Sequence, residues 1–395
     1  MPFRLFRLLE DPFPGLFPIF DAGKAIVMQL PEIEQWGIGL RQPLLIAGPC
    51  GVESPEQVAT VAGQLAGSGV GLLRGGIWKP RTRPASFQGI GSEALGWLKS
   101  AGTSAGLPVT VEVASPLHVQ EALQAGIDVL WIGARTTVNP FLVQEICEAL
   151  LGADVPVMVK NPINPDLELW IGALERLHNA GIRRLAAIHR GFHTYERSRY
   201  RNAPLWSLPL ELKRRIPSLP IINDPSHICG DRPLIPGVAQ TAIDLGFVGL
   251  MVEVHPDPDR ALSDRDQQLT PAAFRQLLSG LVFRKPTTDD ALVRHLLDDL
   301  RNRIDRIDEE LLNLLAVRMQ TVREIGAYKR DHNMTIFQLE RWNEILKTRP
   351  ETGARLELNR SFVTRLMELI HEDSIHQQSQ ILYRMPAPDA NSDHH

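Results

Sequence analysis

Four residues of metal-ligating type fall at or just beyond the ends of apolar runs. They are Cys50 after "PLLIAGP", His227 in "NDPSH", Glu253 in "LMVEV" and Asp264 in "ALSDRD". One soft thiolate, one imidazole and two carboxylates form a mixed donor set for a divalent transition metal of the Mn, Fe, Co or Zn class. Their spacing is not that of a compact zinc motif, so only a fold can bring them together. Six cations occupy the same kind of position: Arg74, Lys79, Arg81, Arg135, Lys160 and Arg190. Such a cluster, in a chain of formal net charge −4, calls for a multiply anionic ligand. Two phosphorylated or carboxylated substrates bound together would suit it. A metal beside them can polarise an aldehyde for attack by a carbon nucleophile.

The elements that must position these groups are legible. Between Pro43 and Phe283 eight short apolar runs alternate with amphipathic stretches. The runs lie at 44–49, 72–76, 108–113, 129–134, 156–161, 184–190, 219–227 and 249–255. Several of the helical stretches begin at Ser-Pro or Asn-Pro and stop at Gly. Near-continuous apolar strands alternating with helices imply a parallel sheet covered on its outside. Eight such units fit a (β/α)8 barrel, with a doubly wound open sheet as the lesser alternative. In a barrel the chemistry sits at the C-terminal strand ends. In chain order those ends carry Cys50, Arg74, Glu112, Arg135, Lys160, Arg190, Asp224 with His227, and Glu253 with His255. The loop after the second strand adds Lys79, Arg81 and Thr82. Charges are rarely buried without partners, so a full ring of them is hard to explain as structure.

The bulk composition agrees with a two-domain globular protein of 395 residues, 44% hydrophobic and 22% charged. Its negative charge argues against a nucleic-acid partner. It has no run of 18 apolar residues, so no membrane span is expected. Three widely spaced cysteines, Cys50, Cys147 and Cys229, make no disulfide framework and suggest a reducing, cytoplasmic setting. Residues 1–40 read as an N-terminal arm, 41–284 as the barrel, 285–385 as a helical domain and 386–395 as a frayed tail.

The motifs "GPCGVES", "LRGGIWKPRTRPASFQG", "GARTT", "VKNP", "HRGF", "DPSH" and "VEVHPDPDRALSD" resemble those of the type I 3-deoxy-D-arabino-heptulosonate 7-phosphate (DAHP) synthases. The branch with a fused chorismate mutase is the best match. Lys79-Pro-Arg-Thr82 is the most specific piece; the related 3-deoxy-octulosonate 8-phosphate synthases carry an Asn-Arg-Ser-type sequence there. The resemblance implies that Cys50, His227, Glu253 and Asp264 bind the metal. It assigns Arg74, Lys79, Arg135, Lys160 and Arg190 to phosphoenolpyruvate, and Arg81 with Thr82 to the phosphate of erythrose 4-phosphate. Glu112 and Asp224 become candidates for positioning water or for a supporting role. Many members carry a regulatory domain before the barrel, for which residues 1–40 are too few. Cys229 stands where Gly or Ser is expected and is read as an incidental small residue near Cys50. An aldolase of another kind would need a Schiff-base lysine, for which Lys160 qualifies by position.

From Asp289 to about Arg330 the chain has no Pro, and apolar residues recur at Leu300, Ile304, Ile307, Leu311, Leu314 or Leu315, Val322 and Ile325. This stripe predicts one long helix, capped by Thr288 or Asp289 and too long to stand without a partner. Two shorter helices are expected at about 336–348 and 357–383, separated by "TRPETGARLE". Arg318 and Lys329 lie roughly 16 Å apart along the axis, near one face, whereas Arg301 is about 25 Å from Arg318. Arg301 would therefore serve a partner's site, in a homodimer or a higher oligomer. The segments "LRNRIDRIDEELLNLLAVRMQTVREIGAYK" and "HEDSIHQQ" are similar to the all-helical chorismate mutases. That similarity implies ligand-binding roles for Arg301, Arg318, Lys329, Arg341, Ser374 and Gln378, with Lys329 and Gln378 donating to the ether oxygen of chorismate. Where this chain has Gln338 and Trp342, at the implied hydroxyl contact, the family has acidic residues. The expected whole is a bifunctional enzyme regulated through its helical domain; the alternative is a synthase whose tail only dimerises and senses a ligand.

Overall fold

The computed structural model describes residues 26–79, 86–195, 198–284, 287 and 289–383. These fall into two compact units, up to residue 286 and from residue 287.

The first unit is a closed barrel of eight parallel strands in chain order. The strands are β1 (Leu44–Gly48), β2 (Leu72–Gly75), β3 (Val109–Val113), β4 (Val129–Ile132), β5 (Val157–Lys160), β6 (Leu185–His189), β7 (Ile221–Asn223) and β8 (Gly249–Glu253), and β8 pairs back onto β1. The connecting helices are α1 (Pro55–Leu65), α2 (Glu93–Ala105), α3 (Pro116–Gln124), α4 (Ala134–Thr137), α5 (Pro140–Ala149), α6 (Leu167–Asn179), α7 (Ser207–Arg215), α8 (Pro225–Cys229), α9 (Ile235–Asp244) and α10 (Pro271–Gly280). Ser54, Ser115, Asn139, Asp224 and Thr270 each cap a helix with a side-chain oxygen and precede a proline in its first turn. The proline lacks an N–H that the first turn could not have bonded anyway.

Two cores follow from the period-two alternation of strand side chains. Leu45, Ala47, Leu73, Val109 and Val111 face the helices. Leu44, Ile46, Leu72, Val129, Trp131, Met158, Ala186, Ile188, Ile222 and Met251 fill the barrel, joined by Ile33, Trp36 and Leu40 from the segment before β1. Among the described residues no helix is long and apolar enough to cross a membrane.

The second unit contains α11 (Ala291–Asp331), α12 (Leu339–Arg355) and α13 (Arg360–Tyr383). The cap of α11 is Asp290, whose carboxylate accepts from the Leu292 and Val293 amides, and not Asp289 as expected; Thr288, the other expected cap, lies outside the described residues. The second helix also differs from its predicted span, running through Pro350 to Arg355. Tertiary packing overrides the proline: Pro350 and Gly353 are buried, and a Cβ on Gly353 would stand 2.6 Å from Val363 of α13. Gly326 similarly lets α11 lie against Gln378, where a Cβ would meet the Gln378 Cα at 3.2 Å. By contrast Leu300, Ile304, Ile307, Leu311 and Leu314 of α11 are all exposed.

Candidate active site

The same alternation that fills the barrel with Leu72, Met158, Ile188, Ile222 and Met251 turns the residues two further on inward. Those residues are Arg74, Lys160, Arg190, Asp224 and Glu253. Apolar positions close the floor, and charges end the strands above it. Trp131 belongs to that floor. Its indole N–H donates to Glu112 (3.1 Å), while the Arg74 guanidinium and Lys160 ammonium lie 5.2 and 5.8 Å from its ring centroid. Both cations gain from the ring face.

Arg74 is 1% exposed, and its Nη2 lies 3.0 Å from Glu253. Its Nε and Nη1 are buried with no hydrogen-bond partner, as is the Thr110 hydroxyl. Buried unpaired donors on a charged group are costly; two of them on one guanidinium are suited to an incoming anion. Lys160, 3% exposed, is 2.8 Å from Asp224. Arg190 donates to Asn202 (2.9 Å), and its burial pushes the guanidinium down to about 10.

Near this cationic floor Cys50 Sγ and carboxylate oxygens of Glu253 and Asp264 lie within 4.8 Å of one another. His227, the fourth expected ligand, stands on α8 and is not part of that mutually close group. Its Nε2 is 3.7 Å from Glu253, and its Nδ1 is 2.8 Å from Asp224. Asp224 therefore stands behind the imidazole and orients it, the arrangement common behind metal-bound histidines. Burial lowers the His227 pKa against the opposing pull of Asp224 and Glu253, the direction that favours a ring with a lone pair to give. Burial also raises the Glu253 carboxyl, but His227, Arg74 and Lys79 outweigh it and keep the group ionised. The Asp224 carboxyl is likewise favoured by burial to stay protonated, yet His227 and Lys160 hold it well below the ordinary range. Burial and Glu253 push the Cys50 thiol up to about 12, so a thiolate there needs a compensating cation. One soft and three harder donors, three of them mutually close around a buried centre, fit a divalent transition metal.

Lys79 reaches the same centre, its Nζ lying 2.6 Å from the Cys50 carbonyl and 2.8 Å from Sγ. Gly76 makes this approach possible, because a Cβ there would come within 2.0 Å of the Cys50 carbonyl oxygen. Arg135 is exposed on α4, one turn past β4. Arg81 and Thr82 lie outside the described residues. His255 turns aside, with Nε2 3.5 Å from Glu53 and Nδ1 accepting from the Asp257 amide. All three cysteines are free and buried; burial raises the Cys229 thiol to about 12.

Sequence reasoning missed the neutral residues that hold the centre in place. Gln268 accepts from the Cys50 amide (2.9 Å) and Gln267 donates to Glu253 (2.7 Å). Arg201 spans Asp264 and Gln267 at 2.9 and 2.8 Å. "SDRDQQ" carries the two glutamines three and four residues after Asp264, a proximity that offered the only available signal.

In the helical unit a cavity of about 130 Å³ is lined by Arg318, Arg341, Trp342, Ile345, Arg349, Met367 and His371. Arg318 donates to the Ser374 hydroxyl (2.7 Å), and Arg341 to Glu344 (2.6 Å). Lys329 is buried and donates to the Ile336 carbonyl, and Gln378 is buried with its Oε1 unpartnered. Arg301 lies on α11 as expected, exposed and beside Asp298. Gln338 is exposed at the start of α12. Arg349 and His371 were not expected. Arg349 fell where the helix was thought to have ended.

Residues 28–283 match the DAHP synthetase I family, and residues 300–379 match chorismate mutase type II. A phospho-2-dehydro-3-deoxyheptonate aldolase of Thermotoga maritima is 34% identical over 237 residues, 60% of this chain and 68% of that protein. A 2-dehydro-3-deoxyphosphooctonate aldolase of Nitrobacter hamburgensis is 28% identical over 269 residues, 62% of this chain and 88% of that protein. A crystal structure of the Thermotoga DAHP synthase superposes with a TM-score of 0.54 over 60% of this chain and 67% of that one, at 34% identity. A truncated form of the Thermotoga enzyme gives 0.55 over 69% and 93%, at 29% identity.

Proposed function

The chain belongs to the DAHP synthetase I family, and from that premise we propose that its barrel condenses phosphoenolpyruvate with erythrose 4-phosphate to DAHP and phosphate. The barrel is a DAHP synthase domain and the helical unit a chorismate mutase domain. The observation that carries the first reading is Arg74, a buried guanidinium with two unpartnered nitrogens above the Trp131 ring that Lys160 also approaches. Arg74, Lys160, Arg190 and Arg135 would hold the carboxylate and phosphate of phosphoenolpyruvate, leaving its C3 facing the aldehyde. Lys79, close to Cys50, would neutralise charge between the two substrates. Arg81 and Thr82 would take the phosphate of the aldose. A divalent metal held by Cys50, His227, Glu253 and Asp264 would polarise the aldehyde carbonyl. C3 bonds to the aldehyde carbon, water adds at the former enol carbon, and inorganic phosphate leaves. Glu112, fixed by Trp131, and Asp224, between Lys160 and His227, are the carboxylates available to orient that water.

The helical unit is read as rearranging chorismate to prephenate. This pericyclic step needs a dianion held in a compact conformer and a donor to the ether oxygen. Arg318 and Arg341, with Arg301 from a second copy, would hold the carboxylates, Ser374 would fix Arg318, and Lys329 with Gln378 would serve the ether oxygen. We read the same pocket as regulating the barrel. The test is a metal-reconstituted assay with phosphoenolpyruvate and erythrose 4-phosphate. Phosphate release that depends on both substrates supports the reading; release only with a different aldose phosphate, such as arabinose 5-phosphate, overturns it.

A further inference from the structure

The tail cavity has a lining of unusual chemistry for a site that must take a hydroxylated ligand. Arg318, Arg341 and Arg349 only donate, as does the Trp342 indole, and Ile345 is apolar. No carboxylate lines the cavity among the described residues. Apart from the weak thioether of Met367, the His371 imidazole is the one lining group that can accept a hydrogen bond. Its Nε2 is buried and has no partner. The ring is held by stacking on Trp342, with centroids 4.0 Å apart and planes 8° apart, and by Phe337 at 6.0 Å. Burial, with the positive charges of Arg318 and Lys329, lowers its pKa, so the ring is neutral at pH 7 and one nitrogen keeps a lone pair.

We propose that His371 is a specificity-determining residue of the tail pocket, accepting through Nε2 the hydrogen bond of a hydroxyl on the dianionic ligand. The inference rests on reading this pocket as a chorismate site. The arginines provide for the carboxylates, and no other side chain lining the cavity offers a strong acceptor for an O–H; Gln378, whose Oε1 is also unpartnered, is not among the lining residues. The Trp342–His371 stack bridges α12 and α13, which fixes the acceptor where the guanidiniums converge.

The experiment compares chorismate with 4-deoxychorismate, the same dicarboxylate without the hydroxyl, on the full-length protein. Affinity is read by calorimetry and turnover by kcat/KM. Wild type should prefer the hydroxylated ligand by about tenfold, the size expected of one buried hydrogen bond. His371→Phe keeps the stack and should reduce the preference to about one, with an unchanged Tm. His371→Gln keeps an acceptor and should restore part of it, and it serves as the folded variant if Phe is not tolerated. Arg318→Ala should weaken both ligands alike. A preference in His371→Phe, or in His371→Ala if neither variant folds, equal to that of wild type overturns the proposal. Wild type that binds neither ligand overturns the chorismate reading itself, and this inference with it.

Discussion

On the proposed reading a single guanidinium would carry much of the barrel's chemistry. Arg74 sits between Glu253, a metal-ligand candidate, and the floor of Trp131, so the proposed metal centre and anion site would share one ion pair. Removing the metal should therefore disturb both. EDTA is expected to abolish phosphate release from phosphoenolpyruvate and erythrose 4-phosphate, and added Mn, Fe, Co or Zn to restore it. Cys50→Ala should lower metal affinity at least tenfold by equilibrium dialysis while leaving the fold intact by circular dichroism, since Ala fills most of the small buried site. A variant as active in chelator as wild type is in metal would remove the metal from the mechanism. The four candidate ligands could be singled out in the sequence because each is a chemically distinctive residue at or beyond a strand end. Trp131, Gln267 and Gln268 were not. An aromatic inside an apolar run reads as core, and a neutral amide acquires its meaning only from the Cys50 amide or Glu253 carboxylate it meets. Arg201 gains its partner Asp264 across 63 residues, a distance no local pattern spans.

At the scale of elements, the eight strand runs were legible because buried parallel strands are short, apolar and regularly punctuated. The helical boundaries were less so, since Pro350 is a local stop signal that packing against Val363 overrules. The strand ends also contain a titratable group with no place in the chemistry. His189 ends β6 fully buried. Its Nε2 faces the Pro204 carbonyl at 2.6 Å, which can only accept, so Nε2 carries the proton and Nδ1 accepts from the Asn223 amide. Burial pushes its pKa from 6.5 down to about 3. As pH falls below 6.5 the unfolded chain takes up a proton that the folded one refuses until about pH 3, so stability is lost across that window. The slope is at most about 1.4 kcal/mol per pH unit. Thermal melts between pH 7 and 5.5 should show a falling Tm. His189→Gln should start lower, from the loss of its fitted polar contacts, but decline less steeply. Parallel curves would assign the pH dependence to other groups.

For the molecule as a whole, the long helix poses the main question. Leu300, Ile304, Ile307, Leu311 and Leu314 expose one apolar stripe on α11, and Arg301 stands about 25 Å along the helix from Arg318. A second copy would cover the stripe and bring its own Arg301 to this chain's pocket. Mixing Arg301→Ala with Arg318→Ala chains, each inactive as a mutase, should then recover activity, because one hybrid site contains both wild-type arginines. Confirmed subunit exchange without recovery would rule out a shared site. On the proposed reading the same pocket would give a reason for joining two activities that are several steps apart in one pathway, where direct transfer of product has nothing to offer. A dicarboxylate product of the later activity, bound among Arg318, Arg341 and Arg349, would report pathway output to the barrel. For that signal to act, prephenate must bind an inhibited state of the chain more tightly than the active one. A preference of tenfold to a hundredfold corresponds to about 1.4 to 2.7 kcal/mol, enough to move a balanced equilibrium most of the way. Synthase rate measured against prephenate should therefore fall to a plateau in wild type and stay level in Arg318→Ala, with the two rates equal when prephenate is absent. The Arg318 side chain is far in sequence from every barrel residue and belongs to the other compact unit, so its loss should leave the synthase chemistry intact. Equal inhibition of both proteins would put the regulatory site outside the helical pocket.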